Sequence, residues 1–176
     1  MDETWIIRHG QSESNVGLPS AQRGDSPITG LGREQAEAIS RAIPEQPSLI
    51  VSSTFVRARQ TAEPTCRRFP NVTYEEWEVQ EFTYLAHRDY QGTTTAERRP
   101  KVLAYWKARE PETRQGPGSE SFVELFERAQ NMLSRLEQAP KGLKLIFSHG
   151  QFMRAVIWSI MSDFEHPDRD AMRSFS

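Results

Sequence analysis

Three short apolar segments constrain the fold of this 176-residue chain more than any other feature of its sequence. They cover residues 5–7, 49–51 and 145–147, and residues 72–77 form a weaker fourth segment. Within the three segments apolar residues follow one another without alternation, which is typical of strands buried on both faces of a parallel sheet. The sequence therefore predicts a mainly parallel sheet.

Helical patterns lie between the predicted strands. Residues 30–43 follow Thr29, a residue type that caps helix N-termini. Their predicted buried face consists of Leu31, Ala38, Ile39 and Ala42. Residues 55–69 are helical in composition, but Pro64 is expected to kink or break that helix. Residues 152–161 form a further helix. Its predicted buried face consists of Met153, Val156, Ile157 and Ile160.

Two capping boxes mark the starts of other helices. Thr94 and Glu97 stand three residues apart, as do Ser121 and Glu124, and this spacing lets each side chain bond the other's backbone. The segment 109–118, rich in Pro, Gly and charge, is predicted to be an exposed loop. Strands that alternate with helices predict an α/β fold. We expect a three-layer α/β/α sandwich in a single domain over residues 1–176.

Composition and charge restrict the class of partner. The formal net charge is −2 and no long basic run occurs, so neither nucleic acid nor an anionic membrane is favoured. No apolar run approaches the roughly 20 residues needed to span a bilayer, and the first residues lack the basic start of a signal peptide. The expectation is a soluble, cytoplasmic protein. Its single cysteine, Cys66, excludes an internal disulfide.

Polar residues follow each of the three apolar segments. The first leads into residues 8–10 (Arg-His-Gly), the second into 52–53 (Ser-Ser) and the third into 148–150 (Ser-His-Gly). In an open α/β sheet, ligands bind at the carboxyl ends of the strands. His9 and His149, which are 140 positions apart, are therefore predicted to meet at one edge of the sheet.

These residue types suit phosphoryl transfer. A neutral imidazole, such as that of His9, can attack phosphorus and form a covalent intermediate. The transferring group carries negative charge on its equatorial oxygens, which the guanidinium groups of Arg8 and Arg57 can bind. The glycines that follow the two histidines, Gly10 and Gly150, permit close approach of the backbone to an oxyanion.

Five segments of the chain and one further residue also match a known family in order and spacing. They are residues 8–15 (Arg-His-Gly-Gln-Ser-Glu-Ser-Asn), 29–32, 52–62, 118–122 and 148–150, together with Arg128. These segments resemble those of the histidine phosphatase superfamily, which includes the cofactor-dependent phosphoglycerate mutases. The resemblance runs from Trp5 to about Met161 and implies a phosphoglycerate mutase-like fold.

The resemblance implies a role for each residue at this edge of the sheet. His9 would be the residue that becomes phosphorylated. Arg8, Arg57 and His149 would bind the phosphoryl group, and Asn15 would be a further donor. His149 would stay close to the transferring phosphate and stabilise it rather than attack.

The proton donor is predicted within the acidic run 75–81. Glu81 is preferred, because the family often places its acid a few residues after the third strand. Glu78 is the alternative, since spacing alone does not separate carboxylates three residues apart. His87 and His166 fall outside the matching segments, and no group of His and Cys has the spacing of metal ligands. We therefore expect no metal and no cofactor.

The resulting prediction is a metal-independent phosphatase that hydrolyses a small phosphorylated metabolite through phosphorylated His9. The alternatives are a phosphoglycerate mutase-like phosphotransferase, a phosphohistidine-protein phosphatase, and a non-catalytic protein that binds a phosphorylated ligand. A mutase usually carries a longer insertion between the acid and the second histidine, which favours the phosphatase. Relatives usually continue beyond the position of Ser176 to a final strand, so that strand is expected to be missing. The substrate and the oligomeric state stay open.

Overall fold

The computed structural model of the protein describes residues 2–162 and 167–175. The strands are β1 (Glu3–Arg8), β2 (Leu49–Ser53), β3 (Tyr74–Trp77) and β4 (Leu143–Ser148). The helices are α1 (Gly30–Ala42), α2 (Val56–Arg68), α3 (His87–Tyr90), α4 (Thr95–Ala108), α5 (Phe122–Glu137), α6 (Gly150–Met161) and α7 (Arg169–Phe175). A 3-10 turn covers Glu13–Val16.

The four strands form one parallel sheet in the order β1-β4-β2-β3, which confirms the four predicted strands and their direction. Strand β4 lies between β1 and β2, although it comes last in the sequence. Arg8 is paired with Ser148, and Ser52 is paired with Phe147. The carboxyl ends of β1, β4 and β2 therefore lie side by side.

Two hydrophobic clusters lie on opposite faces of the sheet, because successive side chains of a strand alternate between faces. Ile146 of β4 and Val51 of β2 belong to a cluster that includes residues of α4, α5, α6 and α7. The neighbouring Leu145 and Ile50 belong to a second cluster, which includes Ala62 of α2. Helices therefore cover both faces, and the predicted three-layer α/β/α architecture is confirmed.

The predicted helix starts are also confirmed. The Thr29 hydroxyl accepts a hydrogen bond of 3.1 Å from the amide of Gly32. Both capping boxes form, at Thr94 with α4 and at Ser121 with α5. Of the expected kink or break at Pro64, the break is wrong, since α2 continues through it. Proline removes a single backbone donor, and packing of α2 against α1 and the sheet holds the helix together.

Both predictions of a buried helix face are wrong in part. In α1 the buried residues are Gly32, Ala36 and Ser40, whereas Leu31 is 49% exposed. Small residues face inward because α1 packs closely against α2 and against the backbone at Gln11. In α6 the buried set is Phe152, Ala155 and Val156, whereas Ile157 and Ile160 are exposed. This helix is apolar on several sides, so periodicity does not single out one face.

No helix in the described part of the chain is long and apolar enough to cross a membrane. Within residues 2–162 and 167–175 the sheet contains the four strands above, and α7 is the last helix. Phe175 of α7 is fully buried in the cluster on the α5 and α6 side.

Two glycines of α1 provide a test of the close packing at its first turn. A Cβ atom on Gly32 would lie 2.2 Å from the carbonyl oxygen of Gln11, whereas a Cβ atom on Gly30 would meet nothing within 4 Å. We expect Gly32→Ala to lower the free energy of unfolding by about 2 kcal/mol or more, because the backbone must shift. Gly30→Ala, the matched control, should change it by less than about 1 kcal/mol. Urea unfolding of both variants measures the difference, and equal stabilities would contradict this account of the contact.

Candidate active site

His9 follows directly after β1, and its backbone amide continues the ladder to β4 by donating to the Ser148 carbonyl at 3.0 Å. Its Nδ1 lies 2.7 Å from the Gly10 carbonyl oxygen. Because a carbonyl only accepts, Nδ1 carries the proton and Nε2 keeps its lone pair. The Arg57 Nε–H donates to that Nε2 at 3.0 Å. Burial, together with the charge of Arg57, lowers the pKa of His9 to about 4. The imidazole is therefore neutral and has one nitrogen suited to nucleophilic attack.

A buried threonine fixes the backbone beside His9. The Thr61 hydroxyl accepts from the Gly10 amide at 3.0 Å and donates to the Arg57 carbonyl at 2.6 Å. One hydroxyl therefore joins the segment after β1 to helix α2. Thr61 was part of the segment that carried the family resemblance, but it received no role from the sequence. The available signal was a threonine four residues after Arg57, a spacing at which a helical hydroxyl bonds back to the preceding turn.

Arg57 lies in the first turn of α2 and is buried, with 9% of its surface exposed. Its guanidinium carbon stands 5.0 Å from the centre of the Phe55 ring. Burial lowers the pKa of Arg57 to about 10, so the side chain stays charged at neutral pH. Arg8, at the end of β1, is exposed and lines the same cavity as Arg57 and His9.

His149 follows β4 and is fully buried. Its ring centre lies 5.0 Å from that of His9 and 5.3 Å from that of Phe55. Its Nε2 is 2.9 Å from the Ser53 hydroxyl, while Nδ1 has no hydrogen-bond partner among the described residues. Burial and the nearby Arg57 lower the pKa of His149, which is therefore neutral. The structure brings the two histidines together, but His149 is not among the described residues that line the cavity.

Glu81 lines the cavity with His9, whereas Glu78 does not. Glu81 Oε1 accepts from its neighbour, the Phe82 amide, at 3.1 Å and from the Gln151 amide in the first turn of α6 at 3.0 Å. Burial raises the pKa of Glu81 above its ordinary value, despite these donors and Arg57. Glu78 is exposed and borders a separate small depression beside Arg128. The geometry therefore favours Glu81 as a proton donor.

Asn15 and Gly150 occupy different kinds of position. Asn15 lines the cavity, and its Oδ1 accepts from the Ser12 amide at 3.0 Å and from the Ser12 hydroxyl at 2.9 Å. Gly150 lies close to the Arg8 side chain and is not among the described residues that line the cavity. A Cβ atom on Gly150 would be 3.7 Å from Arg8 Nε, which is an ordinary contact.

The glycine after His9 is required by close packing against α1. A Cβ atom on Gly10 would lie 2.6 Å from the carbonyl oxygen of Gly32 at the start of α1. The neighbouring Gln11 carbonyl accepts from the Thr29 amide at 2.8 Å. The Gln11 amide in turn donates to the Gln35 side chain at 2.8 Å. The two ends of the segment between Gln11 and Thr29 are therefore bound to each other and to α1.

The cavity that His9 lines has a volume of about 240 Å³. Arg23 and Arg98 also line it, together with Tyr90. Arg98 donates to the Thr93 carbonyl at 2.6 Å and stands 5.1 Å above the Tyr90 ring. Together with the two arginines beside His9, this makes four guanidinium groups against the single carboxylate of Glu81.

The environment of the cavity is therefore cationic. None of its four arginines forms a salt bridge with a carboxylate in the part of the chain that the structure describes. In that same part, no group of three or more His, Cys, Asp and Glu side chains is placed to hold a metal ion. His87 is exposed and does not line the cavity, and His166 lies outside the described residues.

Comparison with solved structures gives the same fold. The mycobacterial glucosyl-3-phosphoglycerate phosphatase in complex with VO3 aligns with a TM-score of 0.68 and 28% identity, covering 88% of this chain and 79% of that one. A putative α-ribazole-5'-P phosphatase from Escherichia coli aligns with a TM-score of 0.74 over 96% of this chain and 82% of that one. Its identity is 19%, so it supports the fold alone.

Sequence relatives include two kinds of enzyme. A glucosyl-3-phosphoglycerate phosphatase of Mycobacterium tuberculosis is 34% identical over 135 residues, which is 74% of this chain and 58% of that protein. The chain therefore spans less than two thirds of the length of this relative. A probable phosphoglycerate mutase of Photorhabdus laumondii is 26% identical over 96% of this chain and 79% of its own length. The model of the histidine phosphatase superfamily (branch 1) matches residues 4–173, and the chain therefore belongs to that superfamily.

Proposed function

We propose that the protein is a phosphatase that hydrolyses a phosphomonoester through a phosphohistidine on His9. The bond from Nε2 to phosphorus forms while the ester P–O bond breaks, and Glu81 gives its proton to the departing oxygen. Water then attacks phosphorus and gives a proton to the Glu81 carboxylate while the N–P bond breaks, which releases inorganic phosphate and restores both His9 and Glu81. The observation that carries the proposal is the fixed tautomer of His9, whose Nδ1–H bonds the Gly10 carbonyl and leaves Nε2 as the nucleophile.

The cationic groups beside His9 suit the charge on the transferring phosphoryl group. Arg57 donates to Nε2 in the absence of substrate, at 3.0 Å, so this donor must pass to a phosphoryl oxygen when the substrate binds. Arg8 and Asn15 line the same space and would bind the remaining oxygens. Once substrate binding has placed these donors on the phosphoryl oxygens, they need no further reorganisation during the reaction, and this is why such groups lower the barrier.

His149, whose side chain is not part of the described cavity lining, would act as a further phosphoryl donor. Its Nδ1 is buried without a partner among the described residues, which is a costly state for a polar atom. The Ser53 hydroxyl accepts from the Phe55 amide at 3.1 Å and lies 2.9 Å from His149 Nε2. If that hydroxyl donates to Nε2, Nδ1 carries the proton and is left to donate to a phosphoryl oxygen.

The cavity favours a small phosphorylated metabolite as substrate. A volume of about 240 Å³ suits a small molecule better than a phosphorylated protein segment. Arg23 and Arg98, which line the cavity in addition to the arginines beside His9, support a leaving group that is polar or anionic. The phosphatases among the relatives carry names of small phosphorylated substrates, such as glucosyl-3-phosphoglycerate, which agrees with this class.

A phosphoglycerate mutase-like transfer is the second candidate, because the chain is 26% identical to a probable phosphoglycerate mutase over 96% of its length. Both reactions begin with phosphorylation of His9 and differ in the acceptor. Incubation with 3-phosphoglycerate, followed by analysis of the products, separates them. We expect release of inorganic phosphate from phosphomonoesters; formation of 2-phosphoglycerate without phosphate release would favour the mutase.

The role of His9 is tested by substitution. We expect His9→Ala to lose detectable hydrolysis of 4-nitrophenyl phosphate and to form no acid-labile phosphoenzyme in rapid-quench labelling, because the variant lacks the proposed nucleophile. His87→Ala, which changes an exposed histidine outside the cavity, should retain full activity. The wild-type rate should also persist in excess chelator. Near-normal turnover by folded His9→Ala protein would exclude this mechanism.

The pH dependence of kcat/KM follows from the two titrating groups. His9 attacks only when neutral, so the rate should fall as the pH drops through about 4. Glu81 donates only when protonated, so the rate should fall again as the pH rises through the raised pKa of this carboxyl. Between these limits both groups are in their working forms, and kcat/KM reports them in the free enzyme.

Two variants assign the upper limb of that profile. Glu81→Gln should lower the rate by about 100-fold or more and remove the limb due to this residue. Glu78→Gln is the matched control and should keep both the rate and the limb. The ionisation of the substrate is common to all three proteins, so it cancels in the comparison. A limb that persists in Glu81→Gln and vanishes in Glu78→Gln would transfer the role to Glu78.

A further inference from the structure

The segment that carries Glu81 is held by an ion pair outside the cavity. Arg128 on α5 donates through Nη1 to the Glu78 carbonyl at 2.8 Å and to the Gln80 carbonyl at 3.1 Å. Both carbonyls lie on the N-terminal side of Glu81. One guanidinium therefore binds the backbone just before the proposed acid.

Glu120 binds the backbone just after Glu81. Its Oε1 accepts from the Thr83 amide at 2.7 Å and from the Thr83 hydroxyl at 3.2 Å. The Glu120 amide also donates to the Thr83 carbonyl at 3.0 Å. The segment 78–83 is therefore hydrogen-bonded on both sides of Glu81 by two side chains that do not line the cavity.

Arg128 and Glu120 form a bidentate ion pair with each other. Arg128 Nε donates to Glu120 Oε2 and Arg128 Nη2 donates to Glu120 Oε1, both at 2.8 Å. Their side chains are only 11% and 13% exposed. The guanidinium also lies 4.9 Å from the centre of the Phe152 ring on α6. Planar geometry of this kind depends on arginine, and lysine does not reproduce it.

We propose that Arg128 and Glu120 are positioning residues for Glu81, which keep its carboxyl directed at the oxygen that leaves during phosphoryl transfer. The inference rests on the proposed function, in which Glu81 protonates that oxygen. Neither residue touches the reacting atoms. Their effect passes through the backbone of the segment 78–83 and through the contact of Glu81 with the first turn of α6.

The chemistry of the leaving group gives this role a distinct kinetic result. An acidic phenol leaves as its anion and needs no proton, whereas a weakly acidic phenol leaves only when it is protonated. A displaced Glu81 therefore slows poor leaving groups selectively. A general loss of stability, or damage at His9 and the arginines, would slow all esters alike.

The experiment compares 2,4-dinitrophenyl phosphate with phenyl phosphate. In Arg128→Lys we expect kcat/KM for phenyl phosphate to fall about tenfold or more, and that for the dinitrophenyl ester to fall less than about threefold. Glu120→Gln, which retains the shape but loses the charge, should shift the ratio in the same direction. The ratio of the two rates on one preparation does not depend on how much of the protein is folded, so a less stable variant still gives a valid result.

Arg135→Lys is the matched control. Arg135 lies on the same helix, pairs with Glu75 at 2.6 Å and stands 4.2 Å from the centre of the Trp77 ring, but it does not bind the segment 78–83. In Arg135→Lys the ratio of kcat/KM for the two esters should equal that of the wild type. Equal losses for both esters in Arg128→Lys, or an unchanged ratio, would overturn the inference.

Glu81→Gln distinguishes failure of the positioning role from failure of the proposed function. If Glu81→Gln slows phenyl phosphate selectively and Arg128→Lys does not, only the positioning role is wrong. If Glu81→Gln leaves the ratio unchanged, the acid assignment is wrong and the positioning role is overturned with it. In the double variant, Arg128→Lys should add no further selectivity to Glu81→Gln, because the two changes act through one proton transfer.

Discussion

The site depends on the hydrogen-bonded ladder that places β4 between β1 and β2. This pairing sets Arg8 beside Ser148, and the amide of His9 extends it by one further bond to the Ser148 carbonyl at 3.0 Å. Two histidines from distant parts of the sequence thereby come within 5.0 Å, measured between ring centres. The helices on both faces bury the sheet, and this burial keeps both imidazoles neutral.

A single buried cation connects the electrostatics of the cavity. The charge of Arg57 lowers the pKa of His9, and it opposes the rise that burial produces in the pKa of Glu81. The same guanidinium donates to the nitrogen that would attack. Arg57 therefore favours the neutral form of His9 and limits the rise in the pKa of Glu81, while its own burial lowers its pKa only to about 10.

Much of the fold could be predicted from sequence, because unbroken apolar segments and capping pairs are local signals. Thr29, Thr94 and Ser121 cap the predicted helices for this reason. The inward faces of α1 and α6 could not be predicted, since close backbone contacts at Gly32 and packing around Phe152 decide them. These contacts join residues that are distant in sequence, and an apolar helix such as α6 offers several equivalent faces.

The prediction of the site had the same limit. Sequence spacing brought His9, His149, Arg8 and Arg57 into one hypothesis, and the structure places them together. It could not separate Glu81 from Glu78, because burial on one side of the segment distinguishes them. Nor could it identify Thr61, whose hydroxyl contacts are tertiary.

The segment between Gln11 and Thr29 is closed at its base by the contact of these two residues and by their bonds to α1. Ser14, Asn15, Ser20 and Arg23, which line the cavity, all lie on this closed loop. The same loop also contacts the start of α2, where the Gly24 carbonyl accepts from the Val56 amide at 3.1 Å. A change in residues 18–23 would therefore reshape the cavity wall, while the backbone bond between Gln11 and Thr29 that closes the loop stays in place.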